Sequence, residues 1–216
     1  MDALFMAELN ERLFTHFTDG AWRAPWSQRL LAVGREGARP FGQLACAGPR
    51  DLARAMAALR SNPDPPPDPA ALLAALEPEA AALAELRRLE GFDDPWPARF
   101  SSPPPLPSGP LVLLSAADLP LRQLVPLLVS GALHGMIWKP APGAAASAHL
   151  LMRQLGPVTL RRLAMVQGDH ATGGALAAMI PLGASLIWAS AAEPPEGLPA
   201  GRIALPSPDP HGTILT

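Results

Sequence analysis

Cysteine and histidine are the residue types in this chain that could serve as nucleophile, general base or metal ligand. The 216 residues contain one cysteine, Cys46, and five histidines. The histidines are His16, His134, His149, His170 and His211. None of them stands at a metal-ligand spacing from a carboxylate or thiolate, and a relay at Cys46 would need an imidazole brought to it by folding. We therefore predict no catalytic residue and no metal site, and interpret Cys46 as a half-buried strand residue.

The self-contained motifs of common enzyme classes are missing from the sequence. It has no Walker-type glycine loop with its lysine, no G-x-S-x-G elbow, no H-E-x-x-H, and no G-x-G-x-x-G after the first strand of its second half. Any function must therefore come from groups that the fold brings together from separate elements.

Composition and charge restrict the partners and the compartment. A net charge of -2 and a pI near 6.2 provide no basic surface for a nucleic-acid backbone. The single cysteine cannot form an internal disulfide, which favours a reducing compartment. The first thirty residues lack the apolar core of a signal peptide, and the longest apolar stretch, residues 124–137, is shorter than the roughly 20 residues of a bilayer span. We predict a cytoplasmic protein that binds neither nucleic acid nor membrane.

Residues 1–94 are predicted to form an N-terminal arm of helices and a β-hairpin. Apolar spacing over residues 3–17 indicates a short amphipathic helix. Glycine and proline then separate short apolar runs over residues 21–47, which is typical of a hairpin that ends at 41–45.

Helical signals continue in the rest of the arm. Asp51 is predicted to cap a helix over residues 52–59, because its carboxylate can accept from unpaired first-turn amides. A second helix over residues 70–89 contains Pro78, which should break or kink it. The proline-rich residues 95–110 are predicted to be a linker between this arm and the following domain.

Residues 111–216 alternate between strand and helix signals, which is typical of repeated parallel crossover units. The predicted strands are 111–114, 136–138, 163–166 and 185–189, with short terminal strands at 202–205 and 213–215. The predicted helices are 119–133, 144–155 and 172–179. We therefore predict an α/β fold: an open, mainly parallel Rossmann-like sheet with helices on both faces, preceded by the helical and β-hairpin arm.

Several segments match a known family in order and spacing. They are residues 17–22 (FTDGAW), 48–55 (GPRDLARA), 138–142 (WKPAP), 163–169 (LAMVQGD) and 171–176 (ATGGAL). Over about residues 17–193 the chain resembles the N-terminal arm and nucleotide-binding domain of aldehyde dehydrogenases. In that family a catalytic domain with a nucleophilic cysteine and a general-base glutamate follows this half. The resemblance thus implies a truncated, degenerate member without the catalytic domain.

The resemblance also implies three cofactor-binding candidates. Lys139 matches the lysine that holds the adenosine ribose of NAD in the family. Gly168 matches the first glycine of the nucleotide loop, and Ser190 stands at the glycine of the Phe-Thr-Gly-Ser-type turn. The alternative is a solvated lysine at a strand end for Lys139, and a tight turn for Gly168.

Other positions depart from the family pattern. Pro142 replaces the acidic residue expected three positions after Lys139, and His170 replaces the second glycine of the nucleotide loop. Asp118 stands in the place of the oxyanion-hole asparagine, where an ionised carboxylate would repel a developing oxyanion. Cys46 matches no catalytic position. These departures indicate a pseudoenzyme.

Three functions remain open. The first is an oligomerisation or interaction scaffold, as a homodimer or in a complex with a complete aldehyde dehydrogenase, with no cofactor or only weak NAD binding. The second is an NAD-binding subunit that contributes to aldehyde oxidoreductase activity. The third is an α/β module that binds another small molecule through the loops after Leu114, Trp138 and Val166.

Overall fold

The computed structural model of the protein describes residues 13–34, 40, 42–60, 64–103, 105–159, 161–190 and 203–204. Most of the helix predicted for residues 3–17 and the strand predicted for residues 213–215 lie outside these ranges. Within them, no helix is both long and apolar enough to cross a lipid bilayer.

A seven-stranded sheet forms the centre of the molecule, with the strand order β10-β9-β6-β7-β8-β2-β3. Its strands are β2 (His16–Thr18), β3 (Ala21–Arg23), β6 (Leu111–Ser115), β7 (Met136–Pro140), β8 (Leu163–Met165), β9 (Ser185–Ala189) and β10 (Ile203–Ala204). The five strands from β10 to β8 run parallel, whereas β2 is antiparallel to both β8 and β3. The predicted α/β fold with a mainly parallel sheet is confirmed.

Helices cover both faces of this sheet. They are α1 (Pro49–Arg60), α2 (Pro69–Leu76), α3 (Ala80–Glu90), α4 (Leu121–His134), α5 (Ala145–Thr159) and α6 (His170–Ala178). Because side chains alternate along a strand, Leu113 and Trp138 pack with α2 to α5 on one face. Val112 and Ile137 pack with α1 and α6 on the other.

The N-terminal residues of the described chain form strands, so the prediction of a helix up to residue 17 is wrong over this part. Phe17 of β2 pairs with Met165 of β8. Phe14 of β1 (Leu13–Phe14) pairs with Leu44. The apolar spacing fits a helix locally, but pairing with distant strands satisfies the backbone and buries both phenylalanines.

A small three-stranded sheet lies beside the large one, with the order β1-β5-β4. Strands β4 (Leu30–Val33) and β5 (Gly42–Ala45) are antiparallel, as expected for the predicted hairpin. Leu31, Leu44 and Phe14 lie side by side on the inner face, whereas Leu30 and Leu13 belong to the outer face.

Helix α1 begins earlier than the sequence predicts. It starts at Pro49, a residue whose missing N–H and fixed φ suit a first helical position. Asp51 therefore lies inside the first turn and is not the residue before the helix. Its buried carboxylate accepts from the N–H groups of Gly48 and Trp26, at 3.0 and 3.1 Å.

Pro78 interrupts the second helical segment, as predicted. Helix α2 ends at Leu76, a 3-10 turn covers Glu77–Glu79, and α3 starts at Ala80. Helix α3 ends at Glu90 and is capped by Gly91, whose φ of 98° lies in the left-handed region that glycine tolerates.

The predicted linker, residues 95–110, contains neither helix nor strand in its described part. The segments on either side of it share one sheet and one core. Leu72 and Leu83 from the first segment belong to the same buried cluster as Leu113 and Trp138 from the second. The division of the chain into an arm, a linker and a following domain stays a prediction.

Candidate functional site

The carboxyl ends of β6, β7, β8 and β9 meet at one edge of the sheet, which is where open α/β folds bind ligands. Ser115 at the end of β6 pairs with Pro140 of β7 and Ala189 of β9. The loop that follows β8 leads through Gly168 into α6. We refer to this edge and its loops as the crevice.

Lys139 lies at the carboxyl end of β7 and is the only lysine in the 216 residues. The residue is only 5% exposed, so the expectation of a solvated lysine is wrong. Burial lowers the pKa of Lys139 to about 8, although the negative charge of Asp169 opposes the shift. A substantial share of this amine is therefore neutral just above neutral pH, unlike an ordinary lysine.

Gly168 follows β8 and approaches the first turn of α6 closely. A Cβ at this position would lie 2.5 Å from the Cβ of Thr172, which is closer than real Cβ contacts. Packing alone therefore requires glycine here, whether or not a nucleotide binds.

Asp169 directly precedes α6 and accepts several hydrogen bonds in the crevice. Its carboxylate caps the helix by accepting from the N–H of Thr172 at 2.9 Å. It also accepts from the Thr172 hydroxyl at 3.1 Å and pairs with the Arg29 guanidinium at 2.9 Å. Partial desolvation raises the pKa of Asp169, but these hydrogen bonds and the charge of Arg29 outweigh it and hold the pKa below its usual value.

The other positions singled out by the sequence lie at different places along this edge of the sheet. His170, the first residue of α6, is exposed, and so is Asp118 in the loop after β6. Ser190 directly follows β9 and is half-buried. The topology brings Lys139 and Gly168 to adjacent strand ends, while β6 separates Ser190 from Lys139. Their cofactor role stays a prediction.

Cys46 lies next to the crevice, directly after β5. Its N–H donates to the carbonyl of Arg29 at 2.8 Å, and the next residue, Ala47, donates to the carbonyl of Gln167 at 2.8 Å. The side chain is 0% exposed, so the prediction of a half-buried residue is wrong. Cys46 belongs to the same buried apolar cluster as Leu44 and Leu113.

Sequence reasoning missed several polar residues that the fold buries or brings to the crevice. Arg29 reaches Asp169 across 140 positions, so no local spacing could reveal the pair. Arg87 and Glu90 are buried on α3, although a polar pair one turn apart on a helix usually faces water. His16 is fully buried on β2. In the described ranges no three histidine, cysteine or acidic residues are grouped as metal ligands.

Many solved structures match this fold, among them three aldehyde dehydrogenase structures with the following similarities. Aldehyde dehydrogenase C from Pseudomonas syringae, solved with NAD+ and octanal, has 19% identity and a TM-score of 0.66. The Bacillus cereus aldehyde dehydrogenase in complex with NAD+ has 15% identity and a TM-score of 0.68. The Mycobacterium tuberculosis Δ-pyrroline-5-carboxylate dehydrogenase, bound with NAD and cobalamin, has 18% identity and a TM-score of 0.67. The chain has an aldehyde dehydrogenase fold.

This similarity covers most of the chain but only part of the aldehyde dehydrogenases. The three matches span 83 to 87% of the chain. They span 44 to 48% of the matched structures, so the chain corresponds to about half of their length. No family sequence model and no curated protein sequence matches the chain. The resemblance to aldehyde dehydrogenases is thus confirmed at the level of the fold.

Proposed function

We propose that this aldehyde-dehydrogenase-like protein has no catalytic activity of its own and serves as an oligomerisation or interaction scaffold. Its partner is a second copy of the chain in a homodimer, and a complete aldehyde dehydrogenase is the alternative partner. The observation that carries the proposal is the clustering of exposed apolar side chains within residues 13–30.

Within the described ranges, six large apolar side chains are more than one third exposed. They are Leu13, Trp22, Trp26, Leu30, Val158 and Leu182, of which the first four lie within 18 consecutive positions. Single exposed apolar residues are ordinary on protein surfaces, whereas a cluster favours a contact surface. The clustering supports a docking role for this segment.

The outer face of the small sheet carries part of this cluster. Leu13, Gln43 and Ala32 are register neighbours across the three strands, and Leu30 lies two positions along β4 on the same face. All four side chains are exposed. A sheet face of this kind is self-complementary when two copies meet around a two-fold axis, which is the commonest route to a homodimer.

The crevice chemistry supports the absence of catalysis. Cys46, the only cysteine of the 216 residues, is fully buried and cannot reach a substrate carbonyl. Asp169 already accepts from Thr172 and Arg29, so little polar capacity is left at this end of α6. The remaining candidate, Lys139, holds its amine inside the protein.

The experiment that tests the proposal is light scattering on the purified chain, combined with an aldehyde oxidation assay. We expect a particle of twice the chain mass of 22.6 kDa and no NAD-dependent oxidation. A clean monomer that also captures no aldehyde dehydrogenase in a pull-down would contradict the scaffold. Aldehyde oxidation by the pure chain would contradict the absence of catalysis.

A second candidate function is NAD binding that contributes to aldehyde oxidoreductase activity. The observation that favours it is that the matched structures named above were solved with NAD. By the resemblance, Lys139 would hold the adenosine ribose, and Gly168 and Ser190 would border the dinucleotide. His170 opposes this fit because an imidazole stands where the family keeps a glycine. The test is a titration of NAD against tryptophan fluorescence, in which saturable quenching is expected only if the crevice binds it.

A further inference from the structure

The inner face of α3 carries an ionic network that is buried in the protein. Arg87 and Glu90 are one helical turn apart, and their side chains are 2% and 0% exposed. The same helix has an exposed pair at the same spacing, Glu85 and Arg88. One pair therefore faces water, while the other reaches into the body of the protein.

Glu90 caps a helix that begins 55 positions later in the sequence. Its carboxylate accepts from the N–H groups of Ala146 and Ser147, at 3.0 and 2.9 Å, and from the Ser147 hydroxyl at 2.7 Å. The first N–H groups of a helix have no acceptor within the helix. Glu90 thus fixes the start of α5, immediately after the crevice loop that follows β7.

Arg87 holds the neighbouring crevice loop, which connects β6 to α4. Its Nη1 and Nη2 donate to the carbonyls of Ala117 and Leu119, at 2.7 and 3.3 Å. Its Nε donates to Asp94 at 3.0 Å, and Asp94 in turn accepts from the N–H of Leu121 at 2.9 Å. Both ends of the loop are therefore tied to one guanidinium and its carboxylate partner.

The charges in this network do not balance when both carboxylates are ionised. Arg87 is the cation and faces Asp94 at 3.0 Å, but it lies 3.5 Å from Glu90. Helix α5 contributes N–H groups and the Ser147 hydroxyl, and the loop after β6 contributes carbonyls. Asp118 of that loop is exposed. Two carboxylates that share one buried guanidinium leave a net negative charge, which a bound proton would cancel.

Burial acts in the same direction. Desolvation raises the pKa of Glu90 to about 7, although the hydrogen bonds from Ser147 and the charge of Arg87 oppose it. Any opening that hydrates the network returns this carboxyl to an ordinary pKa. Between pH 4.5 and about 7 the closed arrangement keeps a proton that the hydrated, open arrangement releases, so opening is favoured as the pH rises through this range.

We propose that Arg87 and Glu90 form a proton-sensitive brace that positions the two crevice loops, and that loss of one proton from this brace favours opening of those loops. Arg87 and Glu90 are positioning residues because they act through the loops. The inference depends neither on self-association nor on NAD.

The test is amide hydrogen exchange of the whole chain between pH 5.5 and 8.5, corrected for the intrinsic exchange rate at each pH. We expect the protection of residues 116–121 and 144–148 to fall by up to about tenfold per pH unit between pH 5.5 and about 7, which corresponds to one released proton, and to level off above pH 7, where the closed arrangement has also lost that proton. In Glu90→Gln, which keeps an acceptor oxygen but cannot titrate, this pH dependence should disappear. The exposed-pair variant Arg88→Gln is the matched control and should retain it.

Two outcomes would overturn the brace. One is wild-type protection in these segments that does not change with pH, or that changes equally throughout the chain. The other is a Glu90→Gln variant that keeps the pH dependence. Should Glu90→Gln fail to fold, carboxyl carbon NMR of the wild-type chain decides the matter. One glutamate should titrate near pH 7, and titration of all glutamates between pH 4 and 5 would refute the proposal.

Discussion

At the residue scale, a comparison of Gly168 with Gly174 shows whether packing or a ligand requires glycine at a position. A Cβ on Gly168 would lie 2.5 Å from the Thr172 Cβ, whereas a Cβ on Gly174 would have no heavy atom within 4 Å. Both residues belong to the loop and helix where the family binds its nucleotide. The structure therefore gives Gly168 a purpose that is independent of NAD.

We expect Gly168→Ala to lower the free energy of unfolding by about 1–3 kcal/mol, because the new methyl group overpacks the start of α6. Gly174→Ala should be neutral or should stabilise α6 by about 0.5–1 kcal/mol, because alanine favours helix. Urea denaturation of both variants is the measurement. Equal stability of the two variants would show that the close approach at Thr172 relaxes without cost.

The pKa of the Lys139 amine can be measured by chemical modification, because Lys139 is the only lysine of the 216 residues. With a pKa of about 8, its amine should react with an acylating reagent along a curve that is half-maximal near pH 8. The ordinary lysine value is about 10.4. Mass spectrometry of the Lys139 peptide follows the reaction.

Under the NAD-binding function, NAD should slow the acylation of Lys139. The variant Lys139→Met should abolish the quenching of tryptophan fluorescence by NAD without changing the oligomeric state. Slower acylation of Lys139 in the presence of NAD would therefore contradict the expectation of a scaffold that binds no cofactor.

At the scale of elements, β2 shows how a short strand depends on its buried contacts. His16 is fully buried, and its Nδ1 accepts from the N–H of Gln167 at 3.1 Å. Its Nε2 lies 4.0 Å from the carboxylate of Asp51 on α1. Desolvation lowers the pKa of His16 to about 4, although the negative charge of Asp51 opposes the shift. The folded protein therefore keeps this imidazole neutral.

A lowered histidine pKa makes stability fall in acid. The unfolded chain binds a proton near pH 6.5 and the folded chain only near pH 4, so stability is complete above pH 6.5 and is lost as the pH falls to about 4. A shift of this size corresponds to about 3 kcal/mol. His16→Asn retains an acceptor near Nδ1 and cannot titrate. We expect the free energy of unfolding of the wild type to fall by about 3 kcal/mol more than that of His16→Asn between pH 7 and 4. Parallel curves would rule out a buried neutral imidazole.

Glu90 on α3 has the opposite linkage in an overlapping pH range. Its raised pKa stabilises the folded protein fully below pH 4.5, and this contribution is lost as the pH rises through about 7. His16 gains stability over most of the same interval. The two effects largely offset each other in the wild type, so the contribution of each residue is visible only in a variant that removes its titration.

At the scale of the whole molecule, the proposed homodimer predicts that a second copy of the chain covers the outer face of the small sheet. We expect the double variant Leu13→Gln, Leu30→Gln to move light scattering from twice the chain mass towards the chain mass, because it removes apolar area from the contact. Leu182→Gln is the matched control, since Leu182 is fully exposed in the loop before β9. Dissociation by the control alone would place the contact elsewhere. A dimer that survives the double variant would contradict the role of this face.

The packing of the N-terminal arm with the seven-stranded sheet is also a property of the whole molecule. Strands β2 and β3 extend the parallel sheet, while α2 and α3 pack on the same face as α4 and α5. Residues on both sides of the predicted linker therefore contribute to one core. The Arg87–Glu90 network depends on this arrangement, because α3 comes from the first segment and its hydrogen-bond partners come from the second.

Local signals in the sequence determined the parallel half of this protein. Buried strands such as Ser185–Ala189 and the helix break at Pro78 are fixed by short-range patterns of apolar residues and by the missing proline N–H. The order and spacing of the segments around Lys139 and Gly168 were sufficient for the resemblance to aldehyde dehydrogenases. These features depend on neighbouring residues in the chain, so the sequence carries them directly.

Only the tertiary structure decided the state of the side chains that come from distant segments. The strand at Phe17 forms because β8 offers it a partner 148 positions later, which outweighs a helical spacing. The pairing of Arg29 with Asp169 spans 140 positions and the contact of Glu90 with Ser147 spans 57, and the burial of Cys46 likewise depends on the tertiary fold. Desolvation and charge pairing depend on proximity in space, and no local pattern in the sequence encodes that proximity.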